Sequence, residues 1–164
     1  MTVFFLPFVQ AQKIYEWRNT NRSGIYEETN LLKNWSEEGP ELIRIYLDIG
    51  NGYGSPVFTD NRMYIIGEID SIGYLFAYDL MGELLWKNDY GKEWTKSFSG
   101  SRSTPTIVDN LIYVCSGLGN ITCFDSKKGK KIWSVDMLKD LHGSFTMHGH
   151  SESLLIDDDK VFLT

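Results

Sequence analysis

Short stretches in which apolar and polar residues alternate recur along this chain, and turns rich in Asp, Asn and Gly separate them. A period of two is typical of β-strands that bury one face, and no stretch sustains the period of an amphipathic helix. Strands are predicted at residues 55–59, 62–66, 74–79, 84–88, 104–108, 111–115, 121–125 and 131–135. The pattern therefore predicts an all-β fold of short strands joined by tight turns.

The predicted strands belong to an internal repeat. Residues 55–65, SPVFTDNRMYI, match residues 104–114, TPTIVDNLIYV, and the prolines of the two copies lie 49 residues apart. The same offset leads to residues 153–163, SLLIDDDKVFL, which keep an apolar strand, an acidic turn and a second strand. Four antiparallel strands in a repeat of about 40 to 50 residues are typical of a β-propeller blade. We therefore expect blades and not a solenoid of helix pairs.

A second motif recurs at the third and fourth strands of each unit. Its positions are Ala77, Asp79, Gly82 and Trp86 in the first unit, and Cys123, Asp125, Gly129 and Trp133 in the second. The motif resembles the tryptophan-docking repeat of the pyrroloquinoline-quinone-like (PQQ-like) β-propellers, which group quinoprotein dehydrogenases with the outer-membrane assembly propeller. We interpret both tryptophans as structural, with each indole flat across the neighbouring blade and its N–H bonded to a backbone acceptor.

The N-terminal leader resembles the same family, because residues 17–24 are similar to the opening of exported PQQ-like repeat proteins. The resemblance implies a ring of eight blades, closed by an N-terminal strand that becomes the outer strand of the last blade. Residues 42–47, LIRIYL, have the pattern of that strand. Because its partners would belong to other blades, we expect an unpaired or improvised strand here, and exposed sheet edges.

These patterns divide the chain into segments. The predicted boundaries are 1–11 for a clipped signal peptide, 12–54 for the leader with its closing strand, 55–101 and 102–150 for two blades, and 151–164 for the truncated start of the next blade. The repeat of 49 residues predicts about two and a half blades in this chain, whereas a propeller closes with four to eight blades. Residues 1–11 have an apolar run and a small-x-small site but lack a basic residue, which leaves an ordinary N-terminal strand as the alternative.

Four residues are candidates for a pocket at the mouth of the central channel: Arg102, His148, His150 and Glu152. In similar propellers such segments lead into inner strands near the channel. Arg102 can bind an anionic group or pair with an acid of the neighbouring blade. The two histidines and Glu152 share a face if their segment is a strand, but the favoured interpretation is a hydrogen-bonded loop and not a metal site.

The two cysteines, Cys115 and Cys123, flank a predicted hairpin. Whether they face each other depends on a single residue of strand register. We expect buried thiols.

Amino-acid composition excludes some classes of function. The 164 residues are 42% hydrophobic and carry a net charge of −6, which predicts a globular, mildly acidic chain without the dense basic patch that nucleic acids require. No apolar run reaches the ~18 residues of a membrane-spanning helix. The signal-peptide interpretation places the protein in the periplasm or outside the cell.

Two functions remain open from the sequence. The favoured one is an exported scaffold or binding module for a protein or other cell-envelope partner, packed against the remaining blades of its own chain, because no activated nucleophile or catalytic carboxylate pair is visible. The alternative rests on the resemblance alone: a PQQ-dependent quinoprotein oxidoreductase of the alcohol dehydrogenase type, with PQQ and Ca²⁺ held by residues outside this stretch. No catalytic, cofactor-binding or metal-binding residue is assigned.

Overall fold

The computed structural model describes residues 13–144 and 147–163, which form an almost entirely β structure. The strands are β1 (Ile14–Tyr15), β2 (Val57–Phe58), β3 (Arg62–Ile69), β4 (Ile72–Asp79), β5 (Leu84–Lys92), β6 (Thr106–Val108), β7 (Leu111–Cys115), β8 (Asn120–Asp125), β9 (Lys131–Asp136), β10 (Leu155–Asp157) and β11 (Lys160–Phe162). One 3₁₀ turn (Thr20–Arg22) and the short helix α1 (Met137–Asp140) are the helical elements of the described residues. The predicted all-β class is confirmed, and neither helical element is long or apolar enough to cross a membrane.

Two antiparallel sheets have the consecutive strand order of propeller blades. Blade 1 has the order β2-β3-β4-β5, and blade 2 has the order β6-β7-β8-β9. β10 and β11 pair as a hairpin, with Ile156 opposite Val161, at the position of a third unit. The described residues therefore form part of a β-propeller, as the repeat predicts.

Acidic residues make the tight turns between the first two strands of successive units. Asp109 and Asp158 are equivalent in the repeat, and both adopt a left-handed backbone, with φ of 53° and 52°. Asp tolerates this conformation because its short side chain bonds to the nearby backbone. The turns set equivalent registers in the two blades, since Val57 pairs with Tyr64 and Thr106 pairs with Tyr113.

The main hydrophobic core lies between blade 1 and blade 2. Tyr64 and Ile66 of β3 face Ile112 and Val114 of β7, and alternation along each strand places these side chains on one buried face. A second core cluster lies between the other face of blade 2 and the β10–β11 hairpin and contains Val108, Cys115, Ile121, Leu154 and Ile156. Each unit is therefore stabilised by packing against the next one.

Hydrogen bonds between units have the same spacing as the sequence repeat. The amide of Ser55 donates to Thr104 Oγ1 over 3.0 Å, across a sequence separation of 49 residues. The amide of Thr104 in turn donates to Ser153 Oγ over 2.9 Å, again 49 residues further on. The same contact is thus made twice, once between each pair of successive units.

Trp86 of blade 1 lies against the turn that contains Gly129 of blade 2. A Cβ atom added to Gly129 would lie 2.6 Å from two carbons of the indole ring. Tyr64 packs on the same indole, with 5.9 Å between ring centroids, and Tyr113 packs on Trp133 at 6.0 Å. Trp86 Nε1 is buried, and the hydrogen bond expected from it has no acceptor among the described residues.

The leader contributes little to the core, and residues 23–38 are all exposed. Residues 42–47, predicted as the closing strand, form no strand. They nevertheless lie against blade 1: a Cβ atom added to Gly82 would lie 2.5 Å from Arg44, and the rings of Tyr46 and Tyr78 lie 4.7 Å apart. Arg44 thus contacts the Gly82 turn as Trp86 contacts the Gly129 turn. A role in closing the ring stays a prediction.

One strand was not expected from the sequence. β1 pairs antiparallel with β6, with Ile14 opposite Val108 and Tyr15 opposite Ile107, and adds a fifth strand to the sheet of blade 2. The expectation of exposed edges is therefore wrong for this edge of blade 2. The predicted signal peptide lies outside the described residues.

Candidate functional site

A cavity of about 560 Å³ opens where the first strands of three successive units begin. Its walls come from equivalent segments of the repeat, at positions 53–55, 102 and 104, and 151–153, together with residues of the leader and of the β10–β11 hairpin. We call it the blade-start cavity, and the side chains that define it are Trp17, Arg22, Tyr53, Arg102, Glu152 and Phe162. The repeat builds this cavity, because it brings the same short segment of each unit to one place.

Arg102 is held in position by the preceding loop. Its Nη2 donates to the carbonyl oxygens of Ser97 and Phe98 over 2.6 Å each, and its guanidinium lies 5.7 Å from the ring centroid of Tyr53. In the described part of the chain, its partners are carbonyl oxygens, and its Nε is buried without a partner. The side chain is therefore ordered by the backbone, not by a neighbouring acid.

Arg22 joins the leader to the third unit. Its Nη2 donates to the carbonyl oxygens of Ser153 and Leu154, over 2.9 and 2.8 Å, and its Nε donates to Glu16 over 2.8 Å. Arg22 was not predicted as a site residue, although it belongs to the leader segment that resembles the family. Its reach across 131 residues of sequence closes one wall of the blade-start cavity.

Two buried glutamates support the loop that holds Arg102. Glu68 accepts hydrogen bonds from the Ser71 amide and from Ser99 Oγ. Burial by itself would raise the pKa of Glu68, but these hydrogen bonds and one from Asn51 outweigh it and lower the pKa. Glu68 therefore holds an ionised carboxylate against residue Ser99, three positions before Arg102.

Glu93 is the second of these glutamates, and its environment changes its pKa in the opposite direction. It accepts hydrogen bonds from the Tyr90 hydroxyl and from the Gly117 amide, the latter over 2.7 Å. Burial raises the pKa of Glu93 in spite of these donors. Tyr90 also bonds to Ser101 over 2.6 Å, which connects Glu93 to the residue before Arg102. The sequence contains no local signal for either glutamate.

The structure brings together two of the four predicted pocket residues. Arg102 and Glu152 both line the blade-start cavity. His150 is buried and lines a different cavity of about 420 Å³, beside Met137 and Leu141, and its Nε2 has no partner among the described residues. His148 is exposed. Residues 147–151 do not form a strand, so the alternation that would place both imidazoles on one face does not apply.

The docking-motif residues lie apart from this cavity. Gly82 and Gly129 adopt left-handed φ values of 85° and 70°, and the turns they make receive Arg44 and Trp86. Trp133 is 36% exposed at the outer strand of blade 2. Gly82, Gly129, Trp86 and Trp133 do not line the blade-start cavity.

The blade-start cavity has the chemistry of a recognition surface. Trp17 and Phe162 are 44% and 46% exposed, and they present apolar rings beside the guanidinium groups. Aromatic rings and arginine are the groups most enriched at protein contacts. In the described residues, His, Cys, Asp and Glu side chains form no cluster of three that could hold a metal ion.

The fold and this site define the chain as a PQQ-like β-propeller repeat protein. The family model described as outer membrane protein assembly factor BamB matches residues 71–164. This match spans more than half of the chain, and the chain belongs to that family. No curated protein sequence matches the chain.

Proposed function

We propose that this chain is part of a non-catalytic β-propeller of the cell envelope that binds a protein partner and acts as a scaffold. The observation that carries the proposal is the blade-start cavity, in which Arg102 is fixed by two carbonyl oxygens beside the exposed rings of Trp17 and Phe162. A preordered arginine among aromatic rings loses little side-chain entropy when a partner binds. The family's description as an outer membrane assembly factor supports a protein partner in the envelope.

The alternative function would hold PQQ and Ca²⁺ on residues outside this stretch, and the residues that the structure describes do not themselves form a site for Ca²⁺. Ca²⁺ takes six to eight oxygen ligands, several of them from carboxylates. The blade-start cavity offers the carboxylate of Glu152, and His, Cys, Asp and Glu side chains form no group of three within the described ranges that could hold a metal ion. We derive no reaction step through PQQ and Ca²⁺, and the proposal of binding rests on the blade-start cavity.

Site-directed photo-crosslinking in cells tests this proposal. The photoreactive residue p-benzoyl-phenylalanine replaces Tyr53, which is 62% exposed in the cavity wall, or replaces Phe58, which is 57% exposed and outside that wall. We expect an adduct with one envelope protein from position 53 and much less of it from position 58. The adduct is identified by mass spectrometry.

Three outcomes would overturn the proposal. These are equal adducts from both positions, an adduct with a cytoplasmic protein, and no adduct from a variant that is folded and produced at the normal level. Calorimetric titration of PQQ with Ca²⁺ into the protein gives an independent check. Saturable heat together with dye-linked alcohol oxidation would show a quinoprotein enzyme instead of a scaffold.

A further inference from the structure

The inner edge of β6 is occupied by the N-terminal strand β1, and acidic residues of two blades hold that strand. Lys13 Nζ and the Tyr15 hydroxyl both donate to Asp60 of blade 1, the latter over 2.8 Å. The Lys13 amide donates to Asp109 Oδ1 of blade 2 over 3.2 Å, and the Asp109 amide donates to the Lys13 carbonyl over 3.1 Å. Asp60 and Asp109 are equivalent in the repeat, so successive blades present the same carboxylate to one strand.

The two side chains that follow Lys13 enter two different apolar clusters. Ile14 packs against the cluster between blade 2 and the β10–β11 hairpin, and Tyr15 packs against the core between the blades. Alternation along a strand sends successive side chains to opposite faces of a sheet, which explains this division. The edge of β6 therefore recognises a cation, a β-branched apolar residue and a tyrosine in that order.

The backbone pairing of β1 with this edge is short. It pairs over two residues, and its Lys13–Asp60 ion pair is 58% and 75% exposed at the two side chains. Exposed ion pairs contribute little to stability. A cavity of about 500 Å³, lined by Lys13, Asp60, Arg62 and Asp109 among others, adjoins the strand and leaves room for a longer segment. A competitor therefore has to replace two residues of backbone pairing, one exposed ion pair and the apolar contacts of Ile14 and Tyr15.

We propose that the inner edge of β6 is a strand-acceptor site, that β1 occupies it within the chain, and that an extended segment of a partner protein displaces β1. The partner segment carries a lysine, a β-branched residue and a tyrosine in consecutive positions. Backbone pairing supplies affinity in this mode of binding, and the pockets for alternate side chains supply specificity. Asp60 and Asp109 favour a cationic segment. The site goes beyond the blade-start cavity, which lies at the opposite end of the inner strands.

Fluorescence anisotropy of a labelled peptide that copies residues 13–18, Lys-Ile-Tyr-Glu-Trp-Arg, tests the proposal on the full chain. The double variant Lys13→Ala/Tyr15→Ala removes the side-chain anchors of β1. If β1 covers the edge in about nine-tenths of the molecules, this variant binds the peptide about tenfold more tightly than the unmodified chain. A peptide with alanine in place of its lysine and tyrosine binds neither protein.

A matched pair of variants tests the acceptor itself. Asp60→Asn in the double-variant background weakens peptide binding, whereas Asp158→Asn leaves it unchanged, because Asp158 is exposed in the third unit and does not contact β1. Hydrogen exchange at the Asp109 amide gives a second readout: its protection falls in the double variant and returns when peptide is added. Circular dichroism confirms that each variant is folded.

The proposal fails if the double variant binds the peptide no more tightly than the unmodified chain, or if added peptide does not restore protection of the Asp109 amide. Sedimentation velocity tests a different occupant. Self-association of the unmodified chain that is lost in the double variant would assign the edge to a second copy of this protein and would overturn a separate partner.

Discussion

Glu68 and Glu93 are both buried, at 5% and 2% exposure, but their surroundings move their pKa values in opposite directions. Burial disfavours the charged form of both carboxyls, and the balance then depends on the donors that each one receives. For Glu68 the hydrogen bonds outweigh burial, and for Glu93 they do not. The two residues therefore make opposite contributions to the dependence of stability on pH.

The raised pKa of Glu93 makes the free energy of unfolding fall as pH rises. Between the ordinary glutamate value of 4.5 and the higher folded value, the folded state binds more protons than the unfolded state, so the free energy of unfolding falls as pH rises. We expect Glu93→Gln to reduce this fall between pH 4.5 and pH 7. Urea denaturation across that range measures it. An unchanged slope in a folded Glu93→Gln variant would contradict the assignment.

Glu68→Gln is the matched comparison. The lowered pKa of Glu68 means that, below pH 4.5, the folded state binds fewer protons than the unfolded state. Ionised Glu68 therefore stabilises the protein above pH 4.5, and this contribution is lost as pH falls. We expect Glu68→Gln to reduce the loss of stability on the acid side and to leave unchanged the fall above pH 5, which depends on Glu93. The same urea titrations, continued to pH 3, separate the two glutamates.

The cysteines allow a second prediction for single residues. Cys115 lies opposite Ile121, and Cys123 lies opposite Tyr113, so the register does not place the two thiols opposite each other, and both are free and buried. Burial raises the pKa of Cys115 to about 12 and that of Cys123 to about 11. Because the thiolate is the reactive form, we expect no reaction with Ellman's reagent at pH 8 in the folded protein and two reactive thiols in urea. Rapid reaction of the folded protein would contradict the burial.

A tryptophan of blade 1, Trp86, packs on a glycine turn of blade 2. Gly129 has a left-handed φ of 70° and receives the Trp86 indole, whereas Gly39 has a φ of 82° with nothing within 4 Å of an added Cβ atom. The two glycines therefore share the backbone requirement and differ in the contact.

Alanine substitutions at Gly39 and Gly129 therefore distinguish the cost of backbone strain alone from the cost of strain plus a steric clash. We expect Gly39→Ala to cost at most about 1–2 kcal/mol of stability, which is the cost of a left-handed alanine. Gly129→Ala should cost about 2–5 kcal/mol, because displacement of the indole adds to that strain. Chemical denaturation of the two variants measures both values. Equal costs would mean that Trp86 does not depend on the Gly129 turn.

At the scale of the whole molecule, contacts that repeat every 49 residues join the units. Thr104 takes part in both of these hydrogen bonds, as the acceptor for the Ser55 amide and as the donor to Ser153. Thr59, in contrast, bonds to Arg62 within the turn of a single blade. The two threonines distinguish contacts between units from contacts within one unit.

We expect Thr104→Val to cost about 1–3 kcal/mol, because the substitution keeps the shape of the side chain and leaves the Ser55 amide without its acceptor. Thr59→Val should cost less than about 0.5 kcal/mol, because the Arg62 carbonyl keeps the hydrogen bond from the Thr59 amide. Denaturation midpoints give the costs, and hydrogen exchange at Ser55 shows whether the loss is located between the units. Faster exchange at Ser55 in Thr59→Val would contradict this explanation.

The leader is the least integrated part of the whole molecule. Ile25, Leu31, Trp35 and Ile43 are each more than 60% exposed, although all are large and apolar. Such a concentration of exposed apolar side chains is typical of a surface that meets a partner. Arg44 and Tyr46, in contrast, contact blade 1.

Much of the fold could be predicted from the sequence because its determinants are local. Alternating apolar residues and turns such as Asp109-Asn110 specify hairpins by themselves, and the repeat then specifies blades. The strands of blade 1 and blade 2 accordingly overlap the predicted positions, but their ends differ. The first strand of each unit is shorter than predicted, at Val57–Phe58 and Thr106–Val108, whereas β3 extends to Ile69 and β5 extends to Lys92. The left-handed turns at Gly82 and Gly129 also follow from residue type.

Only the tertiary structure decided which distant residues meet. Three features depend on tertiary packing between distant segments. They are the pairing of β1 with β6, the contact of Arg22 with the third unit across 131 residues, and the separation of His150 from Arg102. The buried positions of Glu68 and Glu93 depend on the same packing. The sequence by itself therefore determined the blades, since each blade is built from neighbouring segments. The site required the assembled structure, since its walls come from three units and the leader.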